Sequence, residues 1–83
     1  MLKLKKGVTG FIYDSQYGCV DKIFNEPLTV EQEKLISSVI KDYSVLITSD
    51  KDVNDMFEFE EDENGTVEFS VEDGLGEVIE WVK

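Results

Sequence analysis

The chain has no histidine and no arginine, so the commonest general base and the usual bidentate clamp for an oxyanion are both missing. Its single cysteine, Cys19, excludes an internal disulfide and suits a reducing, cytoplasmic compartment. With no histidine to activate it, that thiol reads as a small, mostly buried side chain rather than a nucleophile. Soft-metal sites lack their ligands, and no glycine-rich phosphate loop is present. The longest uninterrupted apolar run, Val45 to Ile47, is far too short to span a bilayer. No apolar segment follows the basic start of the chain, so a signal peptide is not expected. Little chemistry is left for an enzyme. The expectation is a chain without catalytic activity and without a cofactor.

What is present is charge, unevenly placed. Residues 1–49 hold six lysines and six acids and sum to zero. Residues 50–83 hold thirteen acids against Lys51 and Lys83, which accounts for the whole net charge of −11. Self-repulsion on that scale opposes compaction. Yet 41% hydrophobic content with nine aromatics lies outside the disordered regime, so the chain should fold. Its 83 residues suffice for one small domain, 1–83, with one core. An anionic membrane surface would repel the acidic half, so no membrane role is expected.

The clearest local pattern is a helix over about 30–42. Leu35, Ile36, Val39, Ile40 and Tyr43 recur at helical spacing. Thr29 with Gln32 forms a capping box, Glu31 and Glu33 sit in the first turn, and Lys41 falls in the last. Ser44 to Thr48 reads as a short buried strand, and Ser49 to Met56 as a single helical turn or a loop. Phe57, Phe59, Val67, Phe69 and Val71 then alternate with acids about Asn64-Gly65, the pattern of a hairpin. A three-residue loop, Glu63-Asn64-Gly65, sets Phe59 opposite Phe69 and Phe57 opposite Val71, keeping one face apolar. Asp73 to Gly76 reads as a turn and Val78 to Val82 as a further strand. Short strands are expected around Leu2–Leu4, Phe11–Tyr13 and Cys19–Phe24, punctuated by glycines. The fold class that follows is α+β: a small antiparallel sheet of about four to six short strands packed by one amphipathic helix. Leu35, Ile36, Val39 and Ile40 should lie against Phe57, Phe59, Phe69 and Val71.

Two readings of the acidic half follow. Asp50, Asp52, Asn54, Glu58 and Glu61 occupy positions 1, 3, 5, 9 and 12 of a twelve-residue stretch that resembles an EF-hand calcium loop. Position 6, which turns sharply and calls for glycine, is Asp55, and helices do not flank the stretch. A plain acidic loop is the expectation, with no metal. The other reading is a binding face. In the hairpin register Glu58, Glu60, Asp62, Glu68 and Glu72 point away from the core, with Asp73 at the edge. Glu60 faces Glu68, a like-charge pair that weakens a sheet unless a cation meets it. Carboxylates two residues apart on a strand stand roughly 6–7 Å from each other, close to the spacing of phosphates along a nucleic-acid strand. These six acids are the candidate partner-binding residues.

In size and charge the chain is similar to phage-encoded DNA mimics, among them anti-CRISPR, anti-restriction and DNA-repair-inhibitor proteins. The resemblance is one of composition and carries no motif. It implies an inhibitor that occupies the groove of a basic, nucleic-acid-binding protein and does not itself bind nucleic acid. An immunity protein against a basic nuclease toxin would show the same electrostatics. So would a small interaction protein whose acidity serves solubility and whose contacts run through Trp81, Tyr13 or Tyr17. The sequence sets no oligomeric state.

Overall fold

A computed structural model of the protein describes residues 1–57, 63 and 74–82. Among these the chain forms five strands and three helices, so the class is α+β, as the sequence predicts. The strands fall into two antiparallel sheets rather than one. β2 (Gly10–Asp14) lies between β3 (Cys19–Phe24) and β4 (Ser44–Ile47). β1 (Leu2–Leu4) pairs with β5 (Ile79–Trp81), Leu2 opposite Trp81 and Leu4 opposite Ile79, which closes the two ends of the chain against each other. The helices are α1 (Val30–Val39), α2 (Asp50–Met56) and α3 (Leu75–Val78).

The three-stranded sheet has two unlike faces. Paired residues of antiparallel strands share a face and successive residues alternate. Phe11 with Ile47 and Tyr13 with Val45 therefore line one side, and Ile12 with Leu46 and Asp14 with Ser44 the other. The first side carries the core. Phe11 and Ile47 cluster with Leu2, Val53, Leu75, Val78 and Ile79, all almost fully buried, so β1, β5, α2 and α3 stack there. Phe57 completes the layer, its ring 6.4 Å from Phe11 in a stacked arrangement and 4.9 Å from Tyr13 edge-on. Gly10 is needed where β2 runs close to β4, because a Cβ there would lie 2.8 Å from the Ile47 carbonyl oxygen.

α2 is held to β1 by side chains that imitate a strand edge. Asn54 accepts from the Leu2 backbone N–H at 2.9 Å and its amide donates to the Leu2 carbonyl at 2.7 Å. Asp50 accepts from the Leu4 N–H at 2.8 Å. The fit is one of periodicity. Four helical residues rise about 6.0 Å and two strand residues about 6.6 Å, so Asp50 and Asn54 meet Leu2 and Leu4 in register. The sequence reading of 49–56 as one turn or a loop falls short. Ser49 caps the helix by accepting from the Asp52 N–H at 3.2 Å, acids fill the first turn, and Lys51 pairs with Asp55 at 2.7 Å.

α1 begins as the sequence predicts. Gln32 N–H donates to Thr29 Oγ1 at 3.1 Å and Thr29 N–H to Gln32 Oε1 at 2.8 Å, a complete capping box. It ends at Val39 rather than 42, so Lys41 lies beyond its last turn. Ser38 bonds the Leu35 carbonyl with its hydroxyl, and Ile40 turns extended to bring the chain back into β4. The expected burial is corrected at two positions. α1 lies along β4, with Ile36 and Ile40 half-buried, but Leu35 and Val39 are 65% and 72% exposed. The core side of the sheet is already filled, so α1 occupies the opposite face. Of the expected partners, Phe57 packs on Phe11 and Tyr13 across the sheet from α1, while Phe59, Phe69 and Val71, and the hairpin register, lie outside the described residues. Of the turn expected at 73–76, Gly74 at φ 75 leads into α3 at Leu75, Asp73 lies outside the described residues, and the strand follows one residue later than its expected start.

Replacing Asn54 with Ala should lower stability by about 1–3 kcal/mol, since both polar groups of Leu2 lose their partner. Leu35→Ser should change it by no more than about 0.5 kcal/mol, because the side chain is already in water. Urea unfolding midpoints of the two variants check this ordering; the reverse order would place α1 in the core.

Candidate functional site

The six acids that the sequence marks for partner binding, Glu58, Glu60, Asp62, Glu68, Glu72 and Asp73, lie outside the described residues. Their described neighbours divide into engaged and open carboxylates. Asp50 accepts from β1, and Glu80 pairs with Lys3 across the β1–β5 ladder at 3.2 Å, both side chains partly exposed. Asp55 holds Lys51, and the hydrogen bond, with Coulombic attraction behind it, raises the Lys51 ammonium above the usual lysine value. Glu63 and Glu77 are exposed.

Asp52 and Asp55 sit three residues apart on one side of α2, where that helix meets β4. A shallow, open pocket of about 350 Å³ is lined by Val45, Leu46, Ile47, Met56, Asp52 and Asp55. Asp55 keeps 61% of its side chain in solvent and Met56 is 37% exposed. Asp55 is already paired with Lys51, so a lysine or arginine stem laid along these apolar residues would meet Asp52. Sequence reasoning missed the floor of this groove. The spacing of Asp52 and Asp55 was visible, but their proximity to Val45–Ile47 required α2 to fold back over β4.

The calcium-like stretch takes another shape. Asp50 to Met56, which covers loop positions 1 to 7, is helical, and the Asp50 and Asn54 side chains are committed to β1. An EF-hand loop instead wraps those positions around the ion. A second set of donors converges at the β2–β3 turn, where one ligand atom each from Asp14, Cys19 and Asp21 lies within 4.8 Å of the others. Asp14, 2% exposed, accepts from the Gln16 N–H at 2.9 Å and the Tyr17 N–H at 3.4 Å, which fixes the turn. Cys19, half-buried, donates its thiol to Asp21 at 3.6 Å. The hydrogen bonds make this cluster a turn-building device.

On the outer face of the sheet, α1 presents Leu35 and Val39, and Tyr43 follows at 60% exposed. A cavity of about 200 Å³ opens beside them, lined by Ile12, Asp21, Val39, Ile40, Lys41 and Ser44. The Ser44 hydroxyl is buried there with no hydrogen-bond partner. Of the aromatics that the sequence offered as contacts, Tyr17 is 73% exposed, Trp81 is half-buried in β5, and Tyr13 packs on the core. No helix among the described residues is long and apolar enough to cross a membrane. Comparisons with protein-family models, with curated proteins and with solved structures find no match to this chain.

Millimolar Ca²⁺ should leave the melting temperature unchanged. A site filled to a hundred times its Kd would add about 2.7 kcal/mol, a shift of several degrees that differential scanning calorimetry would resolve. A rise with Ca²⁺ and not with K⁺ would require Asp50 and Asn54 to leave β1.

Proposed function

We propose that the chain is a non-catalytic, cytoplasmic binding protein whose acidic half occupies the nucleic-acid-binding groove of a basic protein, in the manner of a nucleic-acid mimic. The observation that carries this reading is the segregation of charge: the entire net charge of −11 resides in residues 50–83. The open pocket between α2 and β4 supports it, since Asp52 lies beside apolar residues there and can meet a cationic side chain. In that half Lys51 is held by Asp55, which leaves Glu63 and Glu77 uncompensated by it. Glu58, Glu60, Asp62, Glu68, Glu72 and Asp73 extend the acidic stretch in sequence. A partner of this kind associates quickly at low salt and competes with nucleic acid for one site.

The test begins with capture from host lysate at low and high salt, followed by isolation of a captured basic protein. Wild type should displace DNA from it, with affinity falling steeply as salt rises. Glu60→Gln with Glu68→Gln, and separately Asp52→Asn with Asp55→Asn, should each slow association while leaving the fold intact. Neutralising Lys3, Lys5 and Lys6 should not weaken binding. Equal on-rates for wild type and both double variants would reduce the acidity to a solubility feature.

A further inference from the structure

We propose that Lys51 is an internal competitor at the pocket between α2 and β4: its ammonium occupies Asp55, where the cationic head of a partner's lysine or arginine would otherwise bind. This deepens, and rests on, the reading of that pocket as a place where a cationic side chain is met. Lys51 is the one cation of residues 50–82 and stands among thirteen acids. Its ammonium donates to Asp55 at 2.7 Å, one helical turn on. Asp52 attracts it too, through space rather than through a hydrogen bond. Both carboxylates line the pocket, together with Val45, Leu46, Ile47 and Met56, but Lys51 does not. Its stem therefore leaves the apolar residues open, and only its head reaches a carboxylate of the site.

Exposure makes that pairing displaceable. Lys51 keeps 83% of its side chain in solvent and Asp55 keeps 61%. Ion pairs this exposed are weak and are screened by salt. A foreign stem laid on the apolar residues can reach Asp52 directly, but it gains Asp55 only by driving Lys51 off. Exchanging one ammonium for another adds little, because Lys51 is tethered to the same helix and returns at once. The pocket as it stands offers an incoming cation one carboxylate. Without the Lys51 charge it offers two.

Single, positive and close, Lys51 thereby sets how strongly this face holds a cation. A second lysine elsewhere on the surface cannot do the same. Charges in solvent that lie beyond about 8 Å are largely screened at physiological salt. Lys34 is such a charge, exposed on α1, which lies across the sheet from the core elements that include α2.

Titrating the full chain with Nα-acetyl-lysine methylamide at physiological salt tests this with no protein partner present. The side-chain carboxyl carbon resonances of Asp52 and Asp55 report where the probe binds. In wild type the Asp52 resonance should move and the Asp55 resonance should respond weakly. Lys51→Met keeps the aliphatic stem and removes the charge. In that variant both resonances should move, and the probe should bind about two-fold more tightly, as the loss of a weak competing pair implies. Adding Asp55→Asn to Lys51→Met should abolish the gain. Lys34→Met removes the same charge from the other side of the sheet and should bind the probe like wild type. Circular dichroism and melting temperature should match wild type in both lysine variants. Equal affinity in wild type and Lys51→Met overturns the proposal, as does an equal gain in Lys34→Met or a probe that moves neither resonance. None of these results depends on capturing a basic protein or displacing DNA, so failure here and failure of the nucleic-acid-mimic reading are told apart.

Discussion

The fold rests on side chains standing in for a missing strand. β1 has only three residues, and one of its edges is taken by β5. Its other edge would leave the polar groups of Leu2 and Leu4 unpaired beside a core in which Leu2 is almost fully buried, a costly arrangement. Asp50 and Asn54 meet that need because a helix repeating every four residues matches a strand repeating every two. Once the clamp is set, Val53 on the same helix points into the core, and β1 and β5 are brought over Phe11 and Ile47. A helix made largely of polar residues thereby becomes the element that closes the hydrophobic layer.

Closing the core in this way gives the sheet two unlike sides. The elements on the core side of the sheet include α2 and β5, which belong to the acidic half. The element on the far side, α1, belongs to the neutral half. α1 supplies the lid of a thinner second layer in which Ile12, Leu46, Ile36 and Ile40 are only half-buried.

Much of the local structure was legible in the order of residues. The capping box at Thr29 and Gln32 marked the start of α1, and the glycines marked the turns that separate β1, β2 and β3. These signals rest on interactions between residues three or four apart, which need no partner from elsewhere. Burial was less legible. Leu35, Ile36, Val39 and Ile40 form two adjacent rows on one helix, and a single short strand beneath can cover only one of them. Nothing in the helix says which row faces inward, because that depends on the direction from which β4 approaches. The same limit applied to α2. Its polar composition left open a single helical turn or a loop, and the clamp that holds the full helix in place lies 46 to 52 residues away at Leu2 and Leu4.

The candidate site divides along the same line. Sequence by itself determined the electrostatics: where the acids are, that no histidine or arginine accompanies them, and that the excess resides wholly in the second half. Net charge is a sum over residues and does not depend on the fold. Only the tertiary structure decided which carboxylates remain available. It assigned Asp50 to β1, Glu80 to Lys3, Asp55 to Lys51 and Asp14 to a turn, and it brought Asp52 beside an apolar groove. Hydrogen bonds and burial depend on which segments meet, and segments far apart in the chain meet only through the packing of the core.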